Sequence, residues 1–251
     1  MKIKIFLDEA WRWPLAWPVV VGGIIPLDNF DKTIFTDSKK ISENKRQKIF
    51  NQIQQLEKEQ KLLYAFWFST NKEIDKYWII KAINLATQRC ILALFSKYIN
   101  HFEKNILQDN NFFNWDKFLW IIKIKNLIKN YLQTKNLNTS EIINIFNQEV
   151  EKLHWIIFDW NHDFGLSKDL WFKVITVIKW DAKVPFIWGA SIVAKVIRDE
   201  YMKQIASKYP QYNFETHKWY WTQKHRLAIK KFWPCDLHRK TFIKNILNNE
   251  I

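Results

Sequence analysis

The stretch KIKIFLDEAWRWPLAWPVVVGGIIP, residues 2–26, sets the reading of the chain. Residues 2–7 alternate polar and apolar, the pattern of a half-buried strand, and VVVGGIIP at 19–26 has the apolar run of a second strand. The acidic pair Asp8 and Glu9 falls where the first strand ends. Further along, Ser42 with Lys45 and Arg46 opens an amphipathic stretch to about Lys61, in which Ile49, Phe50, Ile53 and Leu56 recur at helical spacing. LLYAFWFST at 62–70 reads as a strand, Ile79 to Tyr98 as a helix, and Trp155 to Phe158 as a short buried strand. KVITVIKWD at 173–181 reads as a strand ending in Asp181, and Ile187 to Lys203 as a helix. Strands and helices alternate, which predicts the α/β class. The expected organisation is a catalytic domain over 1–200, with an insertion at about 101–152 that is helical or partly disordered, and a small helical extension over 201–251.

With 48% hydrophobic and 25% charged residues in 251, the chain has the composition of a globular protein and excludes a disordered or collagen-like one. Thirty-nine Lys and Arg against 25 Asp and Glu give a net charge of +14, suited to a polyanionic partner such as nucleic acid or an anionic membrane. Cys90 and Cys235 lie far apart without metal-ligand spacing, against a disulfide scaffold or zinc site and in keeping with a reducing cytoplasm. Asp8, Glu9 and Arg12 interrupt what would be a signal-peptide core, and Lys81 and Arg89 interrupt Ile79 to Phe95, so no membrane is expected as a partner.

Four acids end or follow predicted strands: Asp8 and Glu9 after the first, Asp159 after IIF, and Asp181 after VIK. Taken singly, each acid reads more readily as a surface charge or helix cap than as a ligand, and the adjacent pair Asp8 and Glu9 after an apolar strand is the more specific signal. Gathered at strand ends on one sheet they repel unless a cation neutralises them, and oxygen-only ligands favour Mg²⁺ or Mn²⁺. In ASIVAKVIRDEY, Ser191, Lys195 and Arg198 (or Asp199) share one helix face, where a hydroxyl and two cations suit phosphate oxygens, unless the face is simply solvated. Lys39 and Lys40 in TDSKK carry the same two readings.

The composition departs from the ordinary in one respect. There are 4 glycines and 15 tryptophans, which together take the share that glycine alone, at about 7%, takes in an average chain. Several tryptophans sit at turn positions, such as Trp219 and Trp221 around Tyr220, Trp233 before Pro234, and Trp160 after Asp159. The pattern is what results when UGA codons, which some bacterial lineages translate as glycine, are read as tryptophan.

DEAWRWPLAWPVVV, DSKKIS, FDWNHDF, IKWDAK, ASIVAKVIRD, HKWYWT and WPCDLHRKTF together, in this order and over nearly the whole chain, resemble ribonuclease HII, the type 2 ribonucleases H. That family's opening motif reads DEAGRGPLAGP. Trp11, Trp13, Trp17, Trp160, Trp180, Trp219, Trp221 and Trp233 each stand on a family glycine. Trp67, Trp78, Trp171 and Trp188 stand where glycine is common, and Trp115, Trp120 and Trp155 have no clear counterpart.

The resemblance implies a ribonuclease H-like mixed sheet flanked by helices, and an endoribonuclease that hydrolyses the RNA strand of RNA/DNA hybrids and incises duplex DNA at embedded ribonucleotides. It implies two divalent ions, Mn²⁺ or Mg²⁺, on Asp8, Glu9, Asp159 and Asp181. Trp11, Arg12 and Trp13 fall on the segment whose backbone meets the ribose 2′-OH, and Tyr220 on the tyrosine that packs against the neighbouring sugar. Lys39, Lys40, Ser191, Lys195 and Arg198 complete the expected substrate-binding set. Arg12 argues against the type HIII enzymes, and a monomer is expected. The competing readings are a non-catalytic, basic, aromatic-rich nucleic-acid-binding protein and another two-metal activity such as junction resolution.

Overall fold

The computed structural model describes residues 3–10, 14–102, 153–158, 164–169, 174–176, 184–214 and 222–248. In chain order these form β1 (Ile3–Ala10), β2 (Val19–Pro26), α1 (Glu43–Lys58), β3 (Leu62–Ser69), α2 (Asn71–Phe102), β4 (Leu153–Phe158), α3 (Leu166–Asp169), β5 (Val174–Thr176), α4 (Pro185–Ala206), α5 (Gln223–Phe232) and α6 (Lys240–Asn248). The five strands make one mixed sheet in the order β3-β2-β1-β4-β5. β1, β2 and β3 pair antiparallel, whereas β4 runs parallel to β1 and β5 parallel to β4.

The alternation in KIKIFL predicts a strand with one solvated face. Instead β1 is the central strand, and among its residues only Lys4 is exposed. Ile5 and Leu7 join Val19 and Val21 beneath Ile83, Ala86 and Cys90 of α2, and Phe6 and Ile24 pack on the opposite face with Phe186 and Ile187 of α4. Both faces are covered by helices, so the strand's period-2 signal survives only at its first turn.

α4 lies very close to the sheet. A Cβ on Gly22 would come 2.3 Å from the Ala190 carbonyl oxygen and 2.8 Å from the Ala194 nitrogen, so only glycine admits this approach. α1 starts at Ser42, whose hydroxyl accepts from the Lys45 amide, and buries Ile49, Phe50 and Ile53. The helix expected from Ile79 begins instead at Asn71, and the boundary expected at residue 200 lies inside α4. By length and composition Asn71–Tyr98 passes as a bilayer span, yet it lies on the sheet with Ile83, Cys90, Ile91 and Leu94 in the core. The insertion, beyond the end of α2 at Phe102, lies outside the described residues.

The C-terminal extension is tied to the connection that follows Asp8 and Glu9. Trp17 N–H donates to the Leu237 carbonyl (2.9 Å), Arg239 N–H donates to the Leu15 carbonyl (2.8 Å), and Ala16 bridges His238. Leu15 packs with Ile229 of α5 and with Ile243 and Ile246 of α6.

Six tryptophans are described, and three have positive φ: Trp17 at 89°, Trp78 at 67° and Trp233 at 64°. Trp78 (ψ 159°) interrupts α2 with a kink, and Trp233 (ψ 163°) ends α5. Both pairs of angles lie in a region occupied almost only by glycine, at a cost of about 1–3 kcal/mol for another residue. Trp188 holds a buried indole N–H with no acceptor.

Candidate active site

Asp8 and Glu9 occupy the carboxyl end of β1. Asp8 pairs with Gly22, on the face where α4 crosses, and Glu9 pairs with Val21, which packs under α2. The Glu9 amide donates to the Asp8 carboxylate at 2.8 Å. In the parallel pairing of β1 with β4, Leu7 lies beside Phe158. The residues that follow these two in sequence are Asp8 and Asp159. Asp159 and Asp181 themselves lie outside the described residues, as do Trp11, Arg12, Trp13 and Tyr220.

Facing Asp8 from α4 is a compact polar group. Lys195 Nζ donates to Ser191 Oγ at 2.9 Å and also to Ser38 Oγ, and the two hydroxyls are 2.9 Å apart. Ser38 and Ser191 are buried. Burial lowers the Lys195 ammonium from the usual lysine range, and the positive charges of Lys39 and Arg46 act the same way. The carboxylates of Asp8 and Asp37 oppose the shift. Asp8 at the β1 end and Lys195 of α4 thus feel each other electrostatically.

The loop carrying Ser38 is folded by its own sequence. The Asp37 carboxylate accepts from the Lys39 amide (2.9 Å) and its carbonyl from the Lys40 amide (3.0 Å), a turn that leaves Lys40 outward. Arg46 of α1 fastens the turn by donating to the carbonyls of Ser38 (3.3 Å) and Ile41 (2.9 Å). Ser38 was not singled out in the sequence. The signal was the motif DSKK itself, in which the lysines drew attention from the hydroxyl before them.

The helical stripe expected of Ser191, Lys195 and Arg198 divides. Ser191 and Lys195 turn to Ser38, but Arg198 is 1% exposed, with its guanidinium on Asp199 at 3.1 Å and near the second buried arginine, Arg239. Spacing placed the three on one side of α4, and the C-terminal extension covers the end that holds Arg198. Arg198 is therefore enclosed.

Among the described residues no group of three or more His, Cys, Asp or Glu is arranged to hold a metal. Asp8 and Glu9 are the described members of the expected four. Their hard oxygen donors at one strand end, with β4 directed to the same place, fit a divalent cation of the Mg²⁺ or Mn²⁺ kind.

With this geometry in hand, the relatives are informative. The Ribonuclease HII family model matches residues 119–245. Ribonuclease HII of Aliarcobacter butzleri is 32% identical over 252 residues, covering 100% of this chain and 96% of the relative. That of Fusobacterium nucleatum is 33% identical, covering 99% and 89%. The chain belongs to the ribonuclease HII family.

The solved ribonuclease H2 of Pyrococcus horikoshii superposes with a TM-score of 0.59 at 19% identity, covering 98% of this chain and 97% of that one. Ribonuclease HII of Archaeoglobus fulgidus, solved in a complex with PCNA, gives 0.58 at 16% identity, covering 99% and 98%. These likenesses establish the ribonuclease H-like α/β fold. As a ribonuclease HII the chain is a hydrolase of the ribonuclease H type, and the reading as a non-catalytic binding module is not favoured.

Proposed function

We propose that this ribonuclease HII hydrolyses the RNA strand of RNA/DNA hybrids and incises duplex DNA at single embedded ribonucleotides, leaving 5′-phosphates, as a cytoplasmic monomer. The observation that carries the reading is the parallel register of β1 and β4, whose last pair is Leu7 with Phe158, the residues that precede Asp8 and Asp159 in sequence. Asp8, Glu9, Asp159 and Asp181 would hold two divalent cations, Mn²⁺ or Mg²⁺. Bound there, such ions supply an activated water and neutralise the leaving oxygen.

The chain's own residues position the scissile phosphodiester. Lys195 presents a charge-assisted donor within electrostatic reach of Asp8, held in one place by Ser38 and Ser191. Lys39 and Lys40 extend this positive edge along the loop and meet backbone phosphates, which orient the duplex without reading sequence. Residues 11–13 present backbone to the ribose 2′-OH, and Tyr220 packs on the adjoining sugar, which gives selectivity for RNA at the cleavage point. Arg198 supports the fold of α4.

The test uses protein purified from its own source and duplex DNA with one embedded ribonucleotide. Incision on the 5′ side of the ribonucleotide that requires Mn²⁺ or Mg²⁺ is expected, with no cutting of all-DNA duplex. Cation-independent binding without incision would overturn the reading and favour the binding protein.

A further inference from the structure

The backbone at three tryptophans asks for a different residue. Trp78 has φ 67° and ψ 159° in the middle of a helix, Trp233 has φ 64° and ψ 163° at a helix end, and Trp17 has φ 89° in the connection after the acidic pair. Only three other non-glycine residues among those described have positive φ: Gln60, Phe164 and Asn213. Asn213, at φ 51° and ψ 44°, is left-handed helical, which asparagine tolerates. The extended positive-φ region of Trp78 and Trp233 is reached by glycine because it has no Cβ.

Nothing in the surroundings rewards an indole at Trp78 or Trp233, whereas Trp17 is buried with its ring 4.6 Å from that of Tyr201 and points to glycine by its φ of 89° alone. Trp78 is 66% exposed and Trp233 71% exposed, the two most exposed large apolar residues described, so neither recovers its strain by burial. At Trp188 the indole N–H is buried without an acceptor. We infer that the protein as made in its own cell carries glycine at positions 17, 78 and 233, and that the codon written as tryptophan there is decoded as glycine. Four glycines in 251 residues follow from the same decoding.

The experiment is intact-mass and peptide-sequencing mass spectrometry of the protein from its native source. Glycine at 17, 78 and 233, with an intact mass below 30.7 kDa by about 130 Da for each replacement, is the expected result. Tryptophan at any one of the three positions, or a residue other than glycine, overturns the inference.

A separate observation concerns Arg239, and rests on the ribonuclease reading. Residues 15–17 belong to no helix or strand, and three hydrogen bonds fix their backbone to 237–239. Two join main chains, and the third is Arg239 Nε donating to the Trp17 carbonyl at 2.8 Å. The guanidinium is fully buried over the Phe242 ring at 5.1 Å, with the Asp75 carboxylate attracting it. Asp75 also accepts from the amides of Lys240 (2.9 Å) and Thr241 (2.8 Å). The geometry points to Arg239 as a positioning residue: it fixes the far end of the connection that leaves Asp8 and Glu9.

Arg239→Lys keeps the charge and the alkyl stem and removes the planar Nε donor. In a chain with the residues that the mass measurement establishes, kcat on the single-ribonucleotide duplex falls about tenfold. KM changes less than about threefold, and the melting temperature stays within a few degrees. A variant that melts earlier while its kcat per folded molecule is unchanged overturns the inference, because the residue is then only structural. If the lysine variant does not fold, Asp75→Asn is the substitute: kcat falls about threefold, and an unchanged kcat overturns the inference. A parent chain that does not cut overturns the ribonuclease reading and this inference with it.

Discussion

Two buried polar groups of similar size sit in this fold and do opposite things. On one side, Ser38, Ser191 and Lys195 enclose a cation opposite Asp8. On the other, His225 of α5 meets Cys235 and His238 within the C-terminal extension. There the Cys235 amide donates to His238 Nδ1 at 3.0 Å, and the Nε2 atoms of the two imidazoles meet at 3.2 Å. His238 Nδ1 also lies 3.3 Å from the Cys235 carbonyl, so both main-chain groups of Cys235 meet this one ring nitrogen. In this second network burial keeps His238 neutral, and its polar atoms are directed inward on one another. The first keeps a charge in a desolvated place, which disfavours folding and suits a site that must meet a phosphate. The difference separates polar burial that serves the fold from polar burial that serves the reaction.

Asp8→Asn breaks the comparison most strongly. It preserves shape and removes the charge that faces Lys195 and the cation site, so cleavage should fall about 1,000-fold or more, roughly 4 kcal/mol of barrier, with hybrid binding largely retained. Single-turnover cleavage and filter binding check it together. Retained cutting would remove Asp8 from the site.

His238 sharpens the other half. Burial pushes its imidazole down to about 4 from the ordinary 6.5, so the folded state holds it neutral while the unfolded chain takes a proton below about 6.5. The stability this contributes is complete above 6.5 and declines as pH falls from 6.5 toward 4, by about 1.4 kcal/mol per unit and roughly 3 kcal/mol in all. Urea unfolding at several pH values should show this slope in the parent and lose most of it in His238→Gln. The variant should also be about 2 kcal/mol less stable at pH 7, with kcat per folded molecule unchanged. An equal slope in both would place the acid sensitivity elsewhere.

Lys195→Met should behave in the reverse way. The hydroxyls of Ser38 and Ser191 already lie 2.9 Å apart and can satisfy each other, so stability should change by less than about 1 kcal/mol or rise. Meanwhile kcat/KM should fall about 10- to 100-fold, since a charge-assisted bond to the phosphate is lost. Denaturation and steady-state kinetics on the same preparation decide it. A large loss of stability with normal kinetics would turn the first network into a second copy of the other.

How much of this was legible differs by residue. The acidic pair after an apolar strand and the Ser42 cap were plain in the sequence, because each is a short pattern with a direct physical cause. The first turns of α2 were also written there: Thr70 and Glu73 form a reciprocal cap, with amide-to-side-chain bonds of 2.8 and 3.2 Å, but Trp78 broke the periodicity that followed. The enclosure of Arg198 was not legible, since helical spacing gives a direction around the axis and not what covers it. Nor was the pairing of 15–17 with 237–239, whose bonds are mainly main-chain and join segments more than two hundred residues apart. Ser38 was readable only once α4 was placed above it.

The smallest effect belongs to Lys40, one residue beyond the buried network's edge. Its side chain is 83% exposed and its ammonium is 3.8 Å from the Asp37 carboxylate, a surface pair of little energetic weight. Lys40→Ala should leave stability within about 0.5 kcal/mol. If the loop contacts backbone phosphate, affinity for hybrid and for all-DNA duplex should weaken alike, about two- to threefold at low salt, and the slope of log affinity against log salt should shrink by about one. Equal loss on both duplexes follows because phosphates carry no sugar identity, in contrast to the selectivity expected of residues 11–13. Salt-titrated binding to the two duplexes measures this, and a loss confined to the ribonucleotide-containing one would move Lys40 from duplex positioning to ribose recognition.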